Sequence, residues 1–270
     1  MKSLLSLSAA TALAISALSV ASAPQARAEA LYLKYAINVS GADVMRMSFG
    51  GDVGKNAYNA RVSIQPSGLM SFFIKKSFAL SASGAIGKSG VRPRSFVMEI
   101  KKKKKLKTAR VTWNSPSLTW TRSPRLDAAT RASIRRAIGK GAPDPLALLV
   151  SLAGKDPAKA CRGTRRVFDG HDVYDLRLSL GGTKKFSTSL YKGTAVLCRM
   201  RFVPVVMLSE KKRRQALSDP WLFNIWLAPV VTRDAGRLMV PVAAYGRMQG
   251  RKFTATLTRA SIGGRKLSAR

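Results

Sequence analysis

The chain has 270 residues, of which 46% are hydrophobic and 23% are charged, a composition typical of a globular rather than a disordered protein. Its charge is extreme, because 48 lysines and arginines face only 13 acidic residues and give a formal net charge of +35. A surface of this kind attracts polyanions and adsorbs to anionic membranes, but net charge does not determine a fold.

The first 28 residues predict export. Lys2 precedes a run of apolar and small residues without charge at 4–23, and Ala26-Arg27-Ala28 has the small-residue form that signal peptidase cuts. We expect cleavage between Ala28 and Glu29, which leaves a mature periplasmic protein. The alternative is an uncleaved membrane anchor, since the apolar run is about long enough to span a bilayer.

The beginning of the mature chain predicts consecutive strands. Apolar side chains alternate along Leu31–Val39 and again along Val44–Phe49, on either side of a Ser40-Gly41 turn. The stretch Met70–Ser81 fits a strand or a helix, and we favour a strand. Gly84–Pro93 predicts a loop, because glycine and proline cluster there.

The pattern changes to two predicted helices in an insertion at about 127–154. Asp127 is an N-cap for a helix over 128–138, and Asp144 followed by Pro145 starts a second helix. In a β protein such a pair is expected as a plug or flap against the sheet. A DNA-binding helix-turn-helix is the alternative, and the predicted export argues against it.

Strands return after Cys161, with a two-residue hairpin turn predicted at Asp169-Gly170 and the next turn at Gly181-Gly182. We therefore expect residues 29–270 to form a single, mainly β domain. Its large antiparallel sheet should curl, either as an open half-barrel or as a β-spiral. Cys161 and Cys198 predict one disulfide in an oxidising compartment, with two free buried thiols as the alternative.

The region between the cysteines also holds three clustered aspartates and the sole histidine. Asp172 and Asp175 are three residues apart, so on a regular strand they point to opposite faces, which argues against a shared metal ion or an acid–base pair. Asp169 serves the turn, and we expect His171 to be an exposed polar residue. Because the common nucleophile, zinc and nucleotide-binding motifs are also missing from the sequence, we expect a non-enzymatic protein without a metal or cofactor.

Two basic runs are the candidate anion-binding residues, and both are expected in solvated loops. They comprise Lys101, Lys102, Lys103, Lys104 and Lys105 in the first run, and Lys211, Lys212, Arg213 and Arg214 in the second. Such clusters recognise phosphates of anionic lipid or lipopolysaccharide, another envelope polyanion, or an acidic protein partner. The alternative is that the basic runs are a solvated surface without a ligand, where lysine blocks edge-to-edge sheet pairing. Nucleic acid is not expected, since the protein leaves the cytoplasm.

Several aromatic and methionine side chains have two interpretations. They fill an ordinary core, or they line a lipid-holding hollow in the curled sheet, as apolar residues do in the mouths of barrels. The residues in question are Met45, Met47, Phe49, Phe72, Phe73, Phe78, Phe96 and Met98.

In the order of its short motifs, the chain resembles the bacterial domain-of-unknown-function family numbered 3108, whose members are mostly exported envelope proteins. The motifs are Tyr35–Val39 followed by Gly41, then D-P-L-A-L-L at 144–149, V-F-D-G-H-D-V-Y-D-L at 167–176, I-W-L-A at 225–228 and V-P-V at 240–242. The resemblance implies a β-rich envelope fold and supplies no catalytic residues.

These observations favour a non-enzymatic periplasmic protein that supports envelope integrity or binds a lipidic or anionic envelope component, with peripheral membrane contact. Two alternatives stay open. One is an envelope enzyme acting on a polyanionic polymer, and the other is a structural scaffold that binds a protein partner.

Overall fold

The computed structural model describes residues 29–68, 70–114, 117–139, 141–154, 156–231 and 236–266. The predicted signal peptide therefore lies outside the described residues, while Glu29 begins the first strand. The helices are α1 (Met70–Phe73), α2 (Ala128–Ile138), α3 (Pro145–Ala153), α4 (Pro157–Ala160) and α5 (Glu210–Ser218). The strands are β1 (Glu29–Val39), β2 (Ala42–Val53), β3 (Ala57–Pro66), β4 (Lys76–Gly87), β5 (Gly90–Lys102), β6 (Lys105–Asn114), β7 (Ser117–Ser123), β8 (Gly163–Phe168), β9 (Val173–Ser187), β10 (Lys192–Val206), β11 (Leu222–Val231), β12 (Arg237–Met248), β13 (Arg251–Ile262) and β14 (Arg265–Lys266).

The strands form one antiparallel meander. From edge to edge the order is β7-β6-β5-β4-β3-β2-β1-β13-β12-β11-β10-β9-β8, with the two residues of β14 paired to β13. Because β1 pairs with both β2 and β13, the first long strand and the last long strand of the described chain are neighbours in the middle of the sheet. The strands β7 and β8, which follow each other along the chain, become its two edges. The predicted mainly β fold with a large antiparallel sheet is confirmed.

The two edges of the sheet overlap instead of pairing. Gly170, between β8 and β9, packs on the buried side chains of Ala109 and Val111 on β6, and a Cβ at Gly170 would lie 2.6 Å from the Cβ of Ala109. Trp120 on β7 donates its indole N–H to the Gly170 carbonyl oxygen at 3.0 Å. Since no ladder joins β7 to β8 in the described residues, the sheet curls past itself and stays open.

Helix α3 fills the interior of the curl. The carboxylate of Asp144 caps it, accepting from the backbone N–H groups of Leu146 and Ala147 at 2.8 and 2.9 Å. The helix contacts β3, β4, β5, β8 and β12, and Leu146 and Val150 are buried among the side chains of the sheet. The predicted helical insertion is therefore confirmed as a plug. It occupies the space that a lipid-holding hollow would need.

Three turn predictions are wrong, for different physical reasons. β4 and β5 run through most of Gly84–Pro93 and pair down to Gly87 and Gly90, because glycine and proline are tolerated where a sheet bulges. Gly181-Gly182 lies inside β9, where a bulge lets the Leu197 side chain of β10 pack directly on Gly181. The hairpin at Asp169-Gly170 has a four-residue loop, since the last ladder pair joins Phe168 to Val173.

The predicted disulfide joins Cys161 to Cys198. It fastens the end of α4 to β10, and both cysteines are fully buried with Leu152, Leu178 and Met200. The covalent link therefore anchors the return of the chain from the plug to the sheet.

Candidate anion-binding surface

The meander places alternate connections at the same end of the curled sheet. Connections β1–β2, β3–β4, β5–β6, β8–β9, β10–β11 and β12–β13 lie together, and we call the surface that they form the basic end. It carries α1, the Lys103-Lys104 turn, the 169–172 loop, α5 and the Gln249-Gly250 turn. The turns at 54–56, 88–89 and 188–191 lie at the opposite end. Both predicted basic runs therefore project from one end, although more than a hundred residues separate them in the sequence.

The first basic run forms the tip of the β5–β6 hairpin. Lys102 and Lys105 are the last ladder pair, and all of Lys101–Lys105 is exposed, as predicted. The backbone N–H of Lys103 donates to the carbonyl oxygen of Lys75 at 2.9 Å, which ties the hairpin to the segment between α1 and β4. Lys103 has a φ of 54°, a conformation that glycine adopts at lower cost.

The second basic run is a helix, so the predicted loop at Glu210–Arg214 is wrong. The Ser209 hydroxyl accepts from the Lys212 N–H at the start of α5, and glutamate, lysine, arginine and glutamine all favour helix. Ala216 packs on Phe202 and Trp221, while Lys211–Arg214 is exposed. The sequence lacked an obvious apolar stripe because a single alanine supplies the contact with the sheet.

The positive charges of the two basic runs lie close enough to affect the same lysine, Lys76. Burial lowers the pKa of the Lys76 ammonium, and the positive charges of Lys212, Lys102 and Lys107 lower it further. These groups come from α5, β5 and β6, so the fold has gathered cations from three elements around the start of β4. A positive field results that none of the elements would produce alone.

Three aspartates at the basic end accept hydrogen bonds from the backbone. Asp169 accepts from the N–H groups of His171 and Asp172 at 2.8 and 2.7 Å, and burial raises the pKa of this carboxyl to about 7. Asp172 accepts from the Leu208 N–H at 2.8 Å, and Asp219 accepts from the Gly250 N–H at 2.7 Å. These carboxylates order loops. The ion pairs of the described residues join Arg166 to Asp175 and Arg213 to Glu210, and neither involves a lysine.

His171 is half-buried, not exposed as predicted. Its Nε2 lies 3.3 Å from an Arg122 guanidinium nitrogen on β7, so this contact also connects the overlapping sheet edges. Burial lowers the pKa of His171 to about 4, with further lowering by the positive charges of Arg122, Lys107 and Lys212. The imidazole is therefore neutral at physiological pH.

The three clustered aspartates do not form a common site. Asp175 pairs with Arg166 on the neighbouring strand at 2.5 Å, and Arg166 also donates to the Ala137 carbonyl oxygen of α2. Asp172 instead faces the Leu208 backbone. Among the described residues there is no group of three or more histidine, cysteine, aspartate or glutamate side chains that could hold a metal ion.

A groove of about 610 Å³ lies beside the β7 edge, next to the basic end. Its arginines come from β6, β7, the following segment and α2, and they are Arg110, Arg122, Arg125 and Arg131. Trp120 lies 5.9 Å from the Arg131 guanidinium, and Glu99 is the acidic residue of the lining. The groove thus extends the positive surface onto the side of the sheet.

Sequence reasoning missed the cations that lie outside the two runs. Lys75, Lys76 and Lys107 had a usable signal, since each stands beside an end of a strand that borders the lysine hairpin. The arginines of the groove had none, because they are spread over more than twenty residues and only the curl and α2 bring them together.

The structure is an open, curled antiparallel sheet plugged by a helix, with cations gathered at one end. Residues 32–256 match the family model described as "Protein of unknown function (DUF3108)", which covers most of the chain, and the chain belongs to this family. No curated protein matches it.

Among solved structures, the chain is similar to a beta-barrel-like protein of the domain of unknown function DUF1849 from Brucella abortus. The TM-score is 0.51 at 12% sequence identity, over 87% of this chain and 97% of that one. At this identity the likeness concerns the fold alone. Within the described residues, no helix has the length and hydropathy needed to cross a membrane.

Proposed function

We propose that this protein is a non-enzymatic, exported envelope protein whose basic end binds an anionic, phosphate-bearing component of the cell envelope. The observation that carries the proposal is the convergence of the lysine hairpin, Lys76 and α5 on one surface. Gathering like charges costs free energy unless an anion neutralises them. A ligand with several phosphates neutralises the lysines and arginines, which reduces their mutual repulsion, and it displaces ordered counterions.

The predicted export supports an envelope location. A disulfide such as Cys161–Cys198 persists in oxidising compartments and is rare in the cytosol. Separation of cell fractions, followed by detection of the protein, tests this part of the proposal. Recovery in the cytosolic fraction with both thiols reduced would contradict it.

The non-enzymatic role is supported by what the polar groups near the basic end already do. Asp169 and Asp172 are committed to backbone N–H groups, and His171 contacts a guanidinium instead of a nucleophile. A general base needs a proton of the substrate within reach and a pKa near the working pH. The pKa of His171, about 4, is too low, and Asp169, whose pKa is about 7, already accepts from two backbone N–H groups. Removal of the His171 side chain should therefore leave anion binding and envelope integrity intact, provided that the protein folds.

The binding test measures retention of the mature protein on phosphatidylglycerol vesicles and on a soluble phosphate polymer, over a range of salt concentrations. We expect affinity to fall steeply as salt rises, because several phosphates are neutralised together. Loss of four lysines at the basic end should weaken binding about 1,000-fold, at about 1 kcal/mol for each cation near an anionic surface. The substitutions are Lys102→Gln, Lys104→Gln, Lys105→Gln and Lys212→Gln.

The matched control removes four exposed lysines near the opposite end and leaves the same net charge. Its substitutions are Lys55→Gln, Lys88→Gln, Lys184→Gln and Lys192→Gln. We expect this variant to lose less than about tenfold, from the change in overall charge alone. Equal losses in the two variants would mean that the surface is uniformly adhesive, and binding that is insensitive to salt would overturn the proposal.

A further inference from the structure

We propose that the basic end docks on an anionic lipid bilayer and inserts Phe72 and Phe73 of α1 into the boundary between headgroups and acyl chains. The inference rests on the proposed function and deepens it, because it names a bilayer surface as the anionic component. A soluble polyanion has the same phosphate chemistry but no apolar layer.

The first observation is the exposure of the two aromatic rings. Phe72 is 71% exposed and Phe73 is 79% exposed, although both stand in α1, which contacts β2 and β3. The Ile74 N–H donates to the Met70 carbonyl oxygen at 2.8 Å, and the Lys75 ammonium donates to the Ser71 carbonyl oxygen at 3.0 Å. The rings therefore project from an ordered turn of helix.

The second observation is where the other exposed apolar side chains lie. Of the nine large ones on the described surface, six belong to the connections or strand ends of the basic end, so the concentration is not a general property of this surface. The six are Phe72, Phe73, Leu106, Leu217, Leu222 and Met248. Large exposed apolar residues that gather in one place indicate an interaction surface.

The third observation is the arrangement of lysines around the rings. Lys75 follows α1 directly and its ammonium lies 6.0 Å from the centre of the Phe72 ring. The Lys101–Lys105 hairpin is hydrogen-bonded to the same segment through Lys103 and Lys75, and Leu106 stands next to the hairpin tip. Lysine extends its long apolar stem past buried groups and leaves its ammonium at the level of the phosphates.

These features fit a bilayer better than a protein partner. Lysine is depleted at protein–protein interfaces, whereas aromatic residues within a basic surface are typical of proteins that lie on anionic membranes. Attraction of the lysines to the headgroups brings the surface into contact, and burial of two phenylalanine rings then slows dissociation. Two such signals together hold a protein on a bilayer where one alone gives marginal binding.

The test compares two variants. One carries both Phe72→Ser and Phe73→Ser, and the control carries Val231→Ser, at an 85% exposed valine that ends β11 at the opposite end of the sheet. All three positions are exposed, so the variants should keep the thermal unfolding midpoint of the unchanged protein. We expect the phenylalanine variant to lose about tenfold or more in partitioning onto phosphatidylglycerol vesicles, and the valine variant to lose nothing measurable. Binding of a soluble phosphate polymer should stay the same in both.

A second measurement places the ring within the bilayer. Lipids that are brominated near the top of their acyl chains should quench the tryptophan fluorescence of the Phe73→Trp variant. This quenching should exceed that of the unchanged protein, which contains only the native tryptophans. The same lipids should not quench the protein when it is bound to the soluble polymer.

The outcomes separate the two proposals. If the phenylalanine variant partitions like the unchanged protein, or if Phe73→Trp shows no quenching, membrane insertion is wrong while salt-sensitive anion binding still stands. If the unchanged protein binds neither vesicles nor polymer in a salt-dependent way, the proposed function itself is wrong.

Discussion

The two ends of the curled sheet are built from the same strands but are closed in different ways. At the opposite end the turns are short and satisfied locally, as at Thr188, whose hydroxyl accepts from the N–H groups of Leu190 and Tyr191. At the basic end the connections contain α1, α5 and a lysine hairpin, and most of their side chains contact solvent. The turns at the opposite end are completed by the protein's own hydrogen bonds. The basic end exposes the rings of Phe72 and Phe73 and a lysine hairpin, and neither ion pair of the described residues involves a lysine.

This difference separates stability from binding. The interior and the disulfide hold the sheet in its curled shape, so substitutions there should lower the free energy of unfolding and leave the chemistry of the basic end unchanged. Substitutions of exposed side chains at the basic end should mainly change binding and alter the free energy of unfolding little. Four predictions test that separation, from the largest expected effect to the smallest.

Removal of the disulfide is expected to have the largest effect on stability. The Cys161–Cys198 bond joins residues 37 positions apart in the sequence, for which the chain-entropy estimate is roughly 3–4 kcal/mol. Cys161→Ala with Cys198→Ala should lower the free energy of unfolding by about this amount, as measured by urea denaturation. Binding to anionic vesicles should be unchanged under conditions in which the variant is folded, and a parallel loss of affinity would show that the two regions are coupled.

Truncation of the plug comes next. Leu146 on α3 is 1% exposed in the main core, and Leu146→Ala should lower the free energy of unfolding by about 3 kcal/mol, since it leaves a cavity. Leu106→Ala is the matched control at the basic end, where a 54% exposed side chain should cost less than about 0.5 kcal/mol. Vesicle binding should respond in the opposite order, with Leu106→Ala the more harmful change. Similar thermodynamic costs would mean that Leu106 is part of a core.

The contrast between these regions also explains which features could be predicted from the sequence alone. The curled antiparallel sheet, the plug and the disulfide follow from alternation, helix caps such as Asp144 and cysteine count, which are local or compositional signals. The helical state of Glu210–Ser218 was missed because the pattern shows no apolar stripe, and its one buried contact, Ala216, is defined by tertiary structure.

The candidate surface could be predicted only in part. Each basic run can be identified in the sequence. Whether the two runs lie at the same end depends on the number of strands between them, and one wrongly predicted turn would place α5 at the other end. The role of Phe72 and Phe73 was ambiguous for a related reason: aromatic side chains predict burial, and nothing in the local pattern indicates that α1 projects them outward. Position in the fold, not residue type, distinguishes these rings from Phe96 in the core.

The third prediction concerns a carboxyl that stabilises the basic end. Burial raises the pKa of Asp169 to about 7, with a further rise from the negative charge of Asp172, while backbone N–H groups and Lys212 oppose the shift. Because this value exceeds the ordinary 3.8, the folded protein binds the proton more tightly than the unfolded chain. The stabilising effect is therefore present at low pH and is lost as the pH rises from about 4 to about 7.

Asp169→Asn keeps an oxygen acceptor for the loop but cannot ionise. Compared with the unchanged protein, the variant should gain relative stability steadily as the pH rises from about 4 to about 7, with little further gain above pH 7. His171 has the opposite tendency, because its depressed pKa makes the folded state less stable as acid is added. Both proteins contain that histidine, so the difference between their denaturation curves at each pH isolates Asp169. A difference that is constant with pH would place the ionisation of Asp169 near its ordinary range in the folded state.

The smallest effect should appear at the tip of the lysine hairpin, where stability and binding are expected to move in opposite directions. Lys103 has a positive φ of 54°, so Lys103→Gly should relieve backbone strain and raise the free energy of unfolding by about 0.5–1 kcal/mol. The same change removes one exposed ammonium and should weaken vesicle binding about fivefold. Lys103→Asn is the control, since asparagine tolerates the same conformation and also lacks the charge. If either variant becomes more stable without losing affinity for vesicles, Lys103 contributes nothing to binding. If both variants lose affinity by the same factor, the charge of Lys103, not its backbone conformation, contributes to binding.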